Sequence, residues 1–166
     1  MSRNLWLLRH ADTLAAEVGQ KDIERELSAK GYQDATRLGY HLYTEQQAID
    51  LIWVSSAQRA QRTAEIIVEQ MRYSPQKLQS SEELYQASVR SMLTLINQQS
   101  SDVHQLMVIG HNPTLTYLAE YLSGEAVNSI VPGGLLSLQV LVDQWEEVAQ
   151  QTVTVTTYLT PDQLRG

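Results

Sequence analysis

In the segment LWLLRH, residues 5–10, four apolar residues run directly into an Arg-His pair, a pattern typical of a buried strand that ends at a polar site. A second apolar run, residues 106–109, leads in the same way into a Gly-His pair. A third, residues 51–54, precedes a predicted helix that carries Arg59 in its first turn. In an open α/β sheet, ligands bind at the carboxyl ends of the strands, because the loops separate there and helix N-termini point outward. Arginine and histidine side chains gathered at this edge predict a pocket for an oxyanion such as phosphate, with a nucleophile inside it.

Each residue of this predicted pocket suits phosphoryl transfer. A neutral imidazole such as that of His10 can attack phosphorus directly and form a phosphohistidine. The planar guanidinium of Arg59 can bind two phosphate oxygens at once, which a lysine cannot do. His111 lies where helix N–H groups and the positive end of the helix dipole favour an anion. Taken singly, each residue also has a structural interpretation, but together they predict the catalytic residues His10, Arg9, Arg59 and His111, with Asn112 as a further phosphate-binding residue.

Composition limits the function classes further. The 166 residues are enough for one domain, residues 1–166, with a sizeable core. There is no cysteine, which excludes disulfides and thiolate chemistry. The net charge of −7 argues against a nucleic-acid partner or an anionic membrane surface. No segment approaches the ~20 apolar residues of a membrane span, and no signal-peptide cleavage site is recognisable, so we expect a cytoplasmic protein.

No metal or other cofactor is expected. Only two of the four histidines converge on the pocket, each beside a competing cation, and no carboxylate lies at ligand spacing. His41 and His104 fall on a predicted helix and in a polar loop, and we interpret both as structural. Arg62, one turn after Arg59, is expected to face solvent.

The alternation of elements predicts a three-layer α/β sandwich, with a mostly parallel central sheet and helices on both faces. The predicted strands cover residues 4–9, 50–54, 77–80, 106–109, 135–142 and 151–159. The predicted helices cover residues 29–43, 58–72, 88–99 and 113–123. The connection at residues 143–151 is too short for a parallel crossover, so the last two strands should pair antiparallel and give an antiparallel strand near the C-terminus.

Local signals fix the ends of two helices. Ser28 is a cap for the first helix, and within that helix Gly31 and Gly39 predict the close approach of another element. For the last long helix, Asn112 is predicted as the N-cap, with Pro113 at the first helical position. The face of the first helix that should be buried consists of Tyr32, Ala35, Leu38, Leu42 and Tyr43.

Four motifs carry a family resemblance. Residues 7–11 resemble the Arg-His-Gly/Ala signature of the histidine phosphatase superfamily, the phosphoglycerate mutase-like proteins. Residues 55–65 are similar to its Ser-Pro-x-x-Arg-Ala-x-x-Thr-Ala motif, with Ser56 in place of proline. Residues 108–113 match Gly-His-Asn-Pro, and residues 27–31 resemble Leu-Thr-x-x-Gly at the first helix. The motifs follow in the family's order, and the short chain is most similar to the SixA-type phosphohistidine phosphatases.

The resemblance implies roles for the matched positions and reveals one departure. It makes His10 the nucleophile that is phosphorylated during turnover and makes Arg9, Arg59 and His111 the phosphate clamp. Larger members carry a glutamate general acid in a Leu-x-Glu context. Here Gln86 stands at that position.

Two nearby glutamates, Glu82 and Glu83, are candidate acids, although a solvated pair is the favoured interpretation. An alkyl phosphate leaves as an alkoxide and gains ~10²–10⁴-fold from protonation by a positioned acid. A phosphohistidine can leave as neutral imidazole after protonation by solvent. The missing acid therefore favours phosphohistidine as substrate.

Three hypotheses follow. The first is a phosphatase that hydrolyses phosphohistidine on a partner protein through covalent phospho-His10. The second is a phosphomonoesterase acting on a small phosphorylated molecule, which would need Glu82 or Glu83 in the pocket. The third is a non-catalytic phosphate-binding module, which would not need a nucleophile. The sequence does not determine the oligomeric state.

Overall fold

The computed structural model describes residues 2–166, which form six strands and five α-helices in alternation. The strands are β1 (Arg3–Arg9), β2 (Leu51–Ser55), β3 (Leu78–Ser81), β4 (Gln105–Gly110), β5 (Leu135–Val140) and β6 (Val153–Leu159). The helices are α1 (Ala29–Thr44), α2 (Gln58–Met71), α3 (Val89–Asn97), α4 (Thr114–Ser123) and α5 (Pro161–Arg165). Short 3₁₀ turns, Asp22–Glu24 and Glu82–Leu84 among them, lie in the connecting loops.

The strands form one sheet in the order β3-β2-β4-β1-β5-β6. Strands β1 to β4 pair in parallel, whereas β5 is antiparallel to both of its neighbours, β1 and β6. Five strands therefore point one way and β5 points the other. The predicted mostly parallel sheet, with an antiparallel strand near the C-terminus, is confirmed.

Helices cover both faces of the sheet, because alternate residues of each strand point to opposite sides. On one face, Leu5 and Val108 pack with the apolar residues of α3 and α4. On the other face, Leu8 and Ile109 pack with α1 and α2. The short α5 lies against α1. This arrangement leaves the carboxyl ends of β1, β2 and β4 together at one edge.

The local signals in α1 are confirmed. The Ser28 side chain accepts the N–H of Gly31 at 3.0 Å, as an N-cap does. A side chain at Gly31 would clash, because its Cβ would lie 2.1 Å from the carbonyl oxygen of Asp12. At Gly39 the Cβ would lie 2.7 Å from Cβ of Gln70 on α2. Both glycines thus allow close packing, and the first brings the loop that follows β1 directly onto α1.

Two local predictions are wrong. Tyr32 and Tyr43 are exposed rather than buried, because the apolar stripe of α1 continues past the part of the helix that its neighbours cover. Helix α4 begins at Thr114, so Pro113 is its N-cap and Asn112 lies one position further out. Asn112 still acts on this helix end, since its side-chain oxygen accepts the N–H of Thr116 at 3.3 Å.

Among residues 2–166, no helix is long and apolar enough to cross a membrane. The assignment of residues 1–166 to a single domain stays a prediction.

Candidate active site

His10 follows the last residue of β1 and is held by backbone groups. The main-chain N–H of His10 donates to the carbonyl of Gly110, the last residue of β4. Its ring nitrogen Nδ1 lies 2.8 Å from the carbonyl oxygen of Ala11. Because a carbonyl can only accept, Nδ1 carries the proton and Nε2 carries the free lone pair. Burial lowers the pKa of His10 to about 4, reinforced by the charges of Arg59 and Arg9 and opposed by the bond to Ala11. His10 is thus neutral at pH 7 and has a nucleophilic nitrogen.

His111, just beyond β4, lies beside His10 with 5.1 Å between the ring centroids. Its Nε2 is 2.8 Å from the hydroxyl oxygen of Ser55, and that oxygen also accepts the N–H of Ala57. Donation of the Ser55 hydroxyl proton to Nε2 corresponds to the His111 tautomer that carries its own proton on Nδ1. Nδ1 is buried and has no partner among residues 2–166. Burial first, then the nearby His10 and Arg59, lower the pKa of His111 to about 3.

Arg9 is anchored through the loop before β5. One terminal nitrogen donates to the carbonyl of Ile130 at 2.9 Å, while its buried Nε has no partner within residues 2–166. Asn112 supports the same loop by donating its amide to Ile130 and to Ser129. The amide oxygen of Asn112 is bound by Thr116 as well. Because the side chain of Asn112 is fully engaged within the protein, it has no free group for the phosphate contact predicted from sequence.

Arg59 lies in the first turn of α2, as predicted, and its side chain is only 9% exposed. Both terminal nitrogens of its guanidinium donate to the same residue, Asp22. Nη1 donates to the main-chain oxygen of Asp22 at 2.8 Å, and Nη2 donates to its carboxylate at 3.1 Å. Arg62, one turn later, forms a surface ion pair with Glu65, as expected for a solvent-facing residue.

Sequence reasoning missed three pocket residues, Asp22, Arg25 and Tyr85. The Asp22 carboxylate binds Arg25 and the Tyr85 hydroxyl as well as Arg59. The hydrogen bond from Tyr85 is the main cause that lowers the pKa of Asp22 to about 2. The Tyr85 ring packs edge-on against His111, with 5.8 Å between centroids.

The candidate acids form no hydrogen bond or ion pair with the pocket residues among residues 2–166. Glu82 and Glu83 begin a 3₁₀ turn and are exposed. Neither side chain makes a hydrogen bond or an ion pair within the described residues 2–166. Gln86, at the position where larger relatives carry the acid, is exposed too. The predicted histidines and arginines thus come together at the strand ends, whereas the glutamates stay in solvent.

Comparison with known proteins identifies the family of the chain. Residues 5–98 match the family described as "histidine phosphatase superfamily (branch 1)". An uncharacterised protein of Mycobacterium tuberculosis strain H37Rv is 31% identical over 118 residues, which is 70% of each chain. The chain belongs to the histidine phosphatase superfamily. It is a phosphatase and therefore a hydrolase.

Solved structures show the same fold. The protein histidine phosphatase SixA in complex with tungstate superposes with a TM-score of 0.84 at 21% identity, over 97% of this chain and 99% of that one. A SixA protein of Agrobacterium tumefaciens gives a TM-score of 0.82 at 25% identity, with the same coverage. The SixA-like architecture predicted from the motifs is confirmed.

Proposed function

We propose that the protein hydrolyses phosphohistidine on a partner protein by transferring the phosphoryl group to Nε2 of His10. The observation that carries this proposal is the state of His10. Its proton is fixed on Nδ1 by the Ala11 carbonyl, and its pKa of about 4 leaves Nε2 unprotonated at pH 7. Neutral histidine between arginines is the arrangement that a nucleophile for an anionic phosphoryl group requires.

The first step exchanges one P–N bond for another. His10 Nε2 attacks phosphorus, the substrate's P–N bond breaks, and its electron pair returns to the leaving imidazole, which is neutral if its remote nitrogen was protonated beforehand. The His10 ring then carries phosphate on Nε2 and a proton on Nδ1. The Ala11 carbonyl, 2.8 Å from Nδ1, stabilises this cationic ring.

The second step releases phosphate. Water attacks phosphorus, the electron pair of the P–Nε2 bond returns to the His10 ring, and one proton of the water passes to phosphate or solvent. The Nδ1 proton stays in place throughout, so His10 returns to its starting tautomer without a proton transfer. The same ring nitrogen is therefore nucleophile in one step and leaving group in the next.

Unpaired donors suit the phosphoryl oxygens. Nδ1 of His111 and Nε of Arg9 are buried without a partner in residues 2–166, which is costly unless a ligand accepts their protons. Arg59 keeps N–H groups beyond the two that bind Asp22. Preorganised donors of this kind stabilise charge in the transition state without reorganisation.

The glutamine at position 86, where larger relatives carry the acid, favours phosphohistidine over an alkyl phosphate. Gln86 cannot donate a proton as an acid, and Glu82 and Glu83 are exposed and form no bond to a pocket residue within residues 2–166. A protonated phosphoimidazole needs no such acid. The SixA structure that shares this fold is a protein histidine phosphatase and binds tungstate, a tetrahedral oxyanion like phosphate.

The test is to trap the phosphoenzyme and compare substrates. A phosphohistidine peptide should label the wild type with phosphate that is stable to alkali and lost in acid. His10→Ala should abolish both label and hydrolysis while the fold persists, and His104→Ala is the matched control that keeps both. Retained turnover in His10→Ala contradicts the covalent mechanism. Faster hydrolysis of a sugar phosphate than of the peptide would favour a small-molecule phosphomonoesterase instead.

A further inference from the structure

Asp22 lies at the centre of a network that joins three separate parts of the chain. One carboxylate oxygen accepts from Tyr85 at 2.6 Å and from Arg59 at 3.1 Å, and the other accepts from Arg25 at 3.3 Å. The main-chain oxygen of Asp22 binds Arg59 a second time, at 2.8 Å. The network thus links the loop after β1, the first turn of α2 and the loop after β3.

Arg59 depends on this network for its orientation. All of its side-chain hydrogen bonds within residues 2–166 go to Asp22. The guanidinium carbon of Arg59 lies over the Tyr85 ring, 5.9 Å from the ring centroid. An arginine side chain loses conformational entropy when it is held in one rotamer. The contacts with Asp22 already restrict Arg59 in the absence of phosphate, so phosphate binding need not supply this entropy cost.

We propose that Asp22, supported by Tyr85, is the positioning residue for Arg59: it fixes the guanidinium so that the remaining N–H groups face the transferring phosphoryl group. The proposal rests on the proposed phosphatase function, since it assigns Asp22 to the clamp of that same site. Asp22 acts as a permanent anion and transfers no proton.

Two other roles for Asp22 are distinguishable. As a general acid it would need a proton at neutral pH, but the bonds from Tyr85 and Arg59 keep its pKa low, at about 2. As an autoinhibitory contact it would occupy Arg59 and give it up to phosphate, and its removal would then increase activity. A positioning residue predicts the opposite sign.

The experiment measures hydrolysis of p-nitrophenyl phosphate and binding of vanadate by Asp22→Ala, Asp22→Asn and Tyr85→Phe. Asp22→Ala should lower kcat/KM by ~10- to 100-fold, mainly in kcat, since displacing a catalytic group by about 1 Å costs about this much. Vanadate binding should weaken in parallel. Asp22→Asn keeps one acceptor oxygen and Tyr85→Phe removes one bond, so both should lose less.

Matched controls separate positioning from general effects. Glu17→Gln removes an exposed acidic charge from the same loop, and Tyr117→Phe removes an exposed hydroxyl from α4. Both should match the wild type. In an Arg59→Lys background, Asp22→Ala should cause little further loss, because the two residues act as one unit. Unchanged thermal midpoints exclude simple unfolding, and Tyr85→Phe carries the test if Asp22→Ala does not fold.

The outcomes are separable from failure of the proposed function. A wild type that neither hydrolyses the ester nor binds vanadate refutes the phosphatase site as a whole. An active wild type with Asp22→Ala within twofold of it, or faster than it, overturns the positioning role alone. Full additivity with Arg59→Lys overturns it as well.

Discussion

Two Asp–Arg pairs in this molecule are built in opposite ways. In the pair between α1 and α5, the acid is buried: the Asp34 side chain is 2% exposed and Arg165, at 30%, lies over it. In the pair at the pocket, the base is buried: the Arg59 side chain is 9% exposed and Asp22 is 53% exposed. The arginine is thus the more exposed partner in the first pair, and the aspartate is the more exposed partner in the second.

The difference distinguishes a structural ion pair from a ligand-binding site. Asp34 is bound by two nitrogens of Arg165 and approached by Arg37, so its carboxylate is fully paired and serves to hold α5 on α1. Arg59 keeps unused donors beside unpaired nitrogens of its neighbours Arg9 and His111. A buried cation with donors to spare indicates an anionic ligand, whereas a buried, saturated anion indicates structure.

The largest effect is expected at the pocket pair. Arg59→Lys keeps the charge but loses the planar fork, and removing one well-aimed donor costs ~10²–10³-fold in rate. The measurement is kcat/KM on a phosphohistidine peptide or an aryl phosphate, with Arg62→Lys as the control that stays at wild-type activity. A mutant within about threefold of wild type would remove Arg59 from the site.

Disrupting the ion pair between Asp34 and Arg165 should lower the stability of the protein and leave its catalytic activity unchanged. Arg165→Ala leaves the buried Asp34 with only the more distant Arg37, so the thermal midpoint should fall by several degrees. Arg90→Ala, on the exposed side of α3, is the control and should leave the midpoint unchanged. kcat/KM of the folded mutant should equal that of the wild type. A loss of activity at full folding would show that α5 takes part in the site.

The pH dependence tests the electrostatics of the pocket. Protonation of Nε2 removes the nucleophile, so kcat/KM on an aryl phosphate should fall as the pH falls through about 4, the pKa of His10. Between pH 5 and 7 the enzyme itself should contribute no change. A decline centred near 6.5, the ordinary histidine value, would contradict a neutral, buried His10.

The free energy of unfolding should also depend on pH, and the lowered pKa values of the two histidines determine the direction of the change. His10 and His111 have lowered pKa values in the folded protein, about 4 and about 3. Between these values and about 6.5 the unfolded chain binds more protons than the folded one. The free energy of unfolding therefore decreases as the pH falls below about 6.5, as measured by urea titration at several pH values.

The smallest effect is expected at the exposed glutamates. Replacing Glu82 and Glu83 together by glutamine should leave turnover of phosphohistidine or an aryl phosphate within about twofold of the wild type. Alkyl phosphates should be poor substrates before and after the change. Brisk hydrolysis of a sugar phosphate that falls by ~10² or more in the double mutant would make a glutamate the acid.

The parts of the fold and site that the sequence predicts are those with strong local signals. His10, Arg59 and His111 each follow an apolar strand, so the topology brings them together at the strand ends. The antiparallel pairing of β5 and β6 followed from the short connection between them, whereas the reversal of β5 relative to β1 did not. Glycines 31 and 39 marked close packing that the structure confirms.

Other features have no local signal. Asp22 and Tyr85 lie 63 positions apart, and only tertiary structure brings the hydroxyl to the carboxylate. The periodicity of α1 identifies an apolar face but not how far neighbouring elements cover it, so Tyr32 continues that face and is nevertheless exposed. Asn112 matched a motif, yet which way its amide points depends on the loop at Ser129 and Ile130.

The bonds around Gly133 have a consequence for protein synthesis. Its N–H is donated to the carbonyls of Arg9 and His10, and Gly134 accepts the N–H of Arg9. Strand β1 lies between β4 and β5, which begin only at Gln105 and Leu135 and are therefore synthesised long after it. A nascent chain that already displays His10, Arg59 and His111 therefore still lacks the segment that closes the end of β1. The end of β1 beside His10 is therefore completed only after residues 133 and 134 have been synthesised.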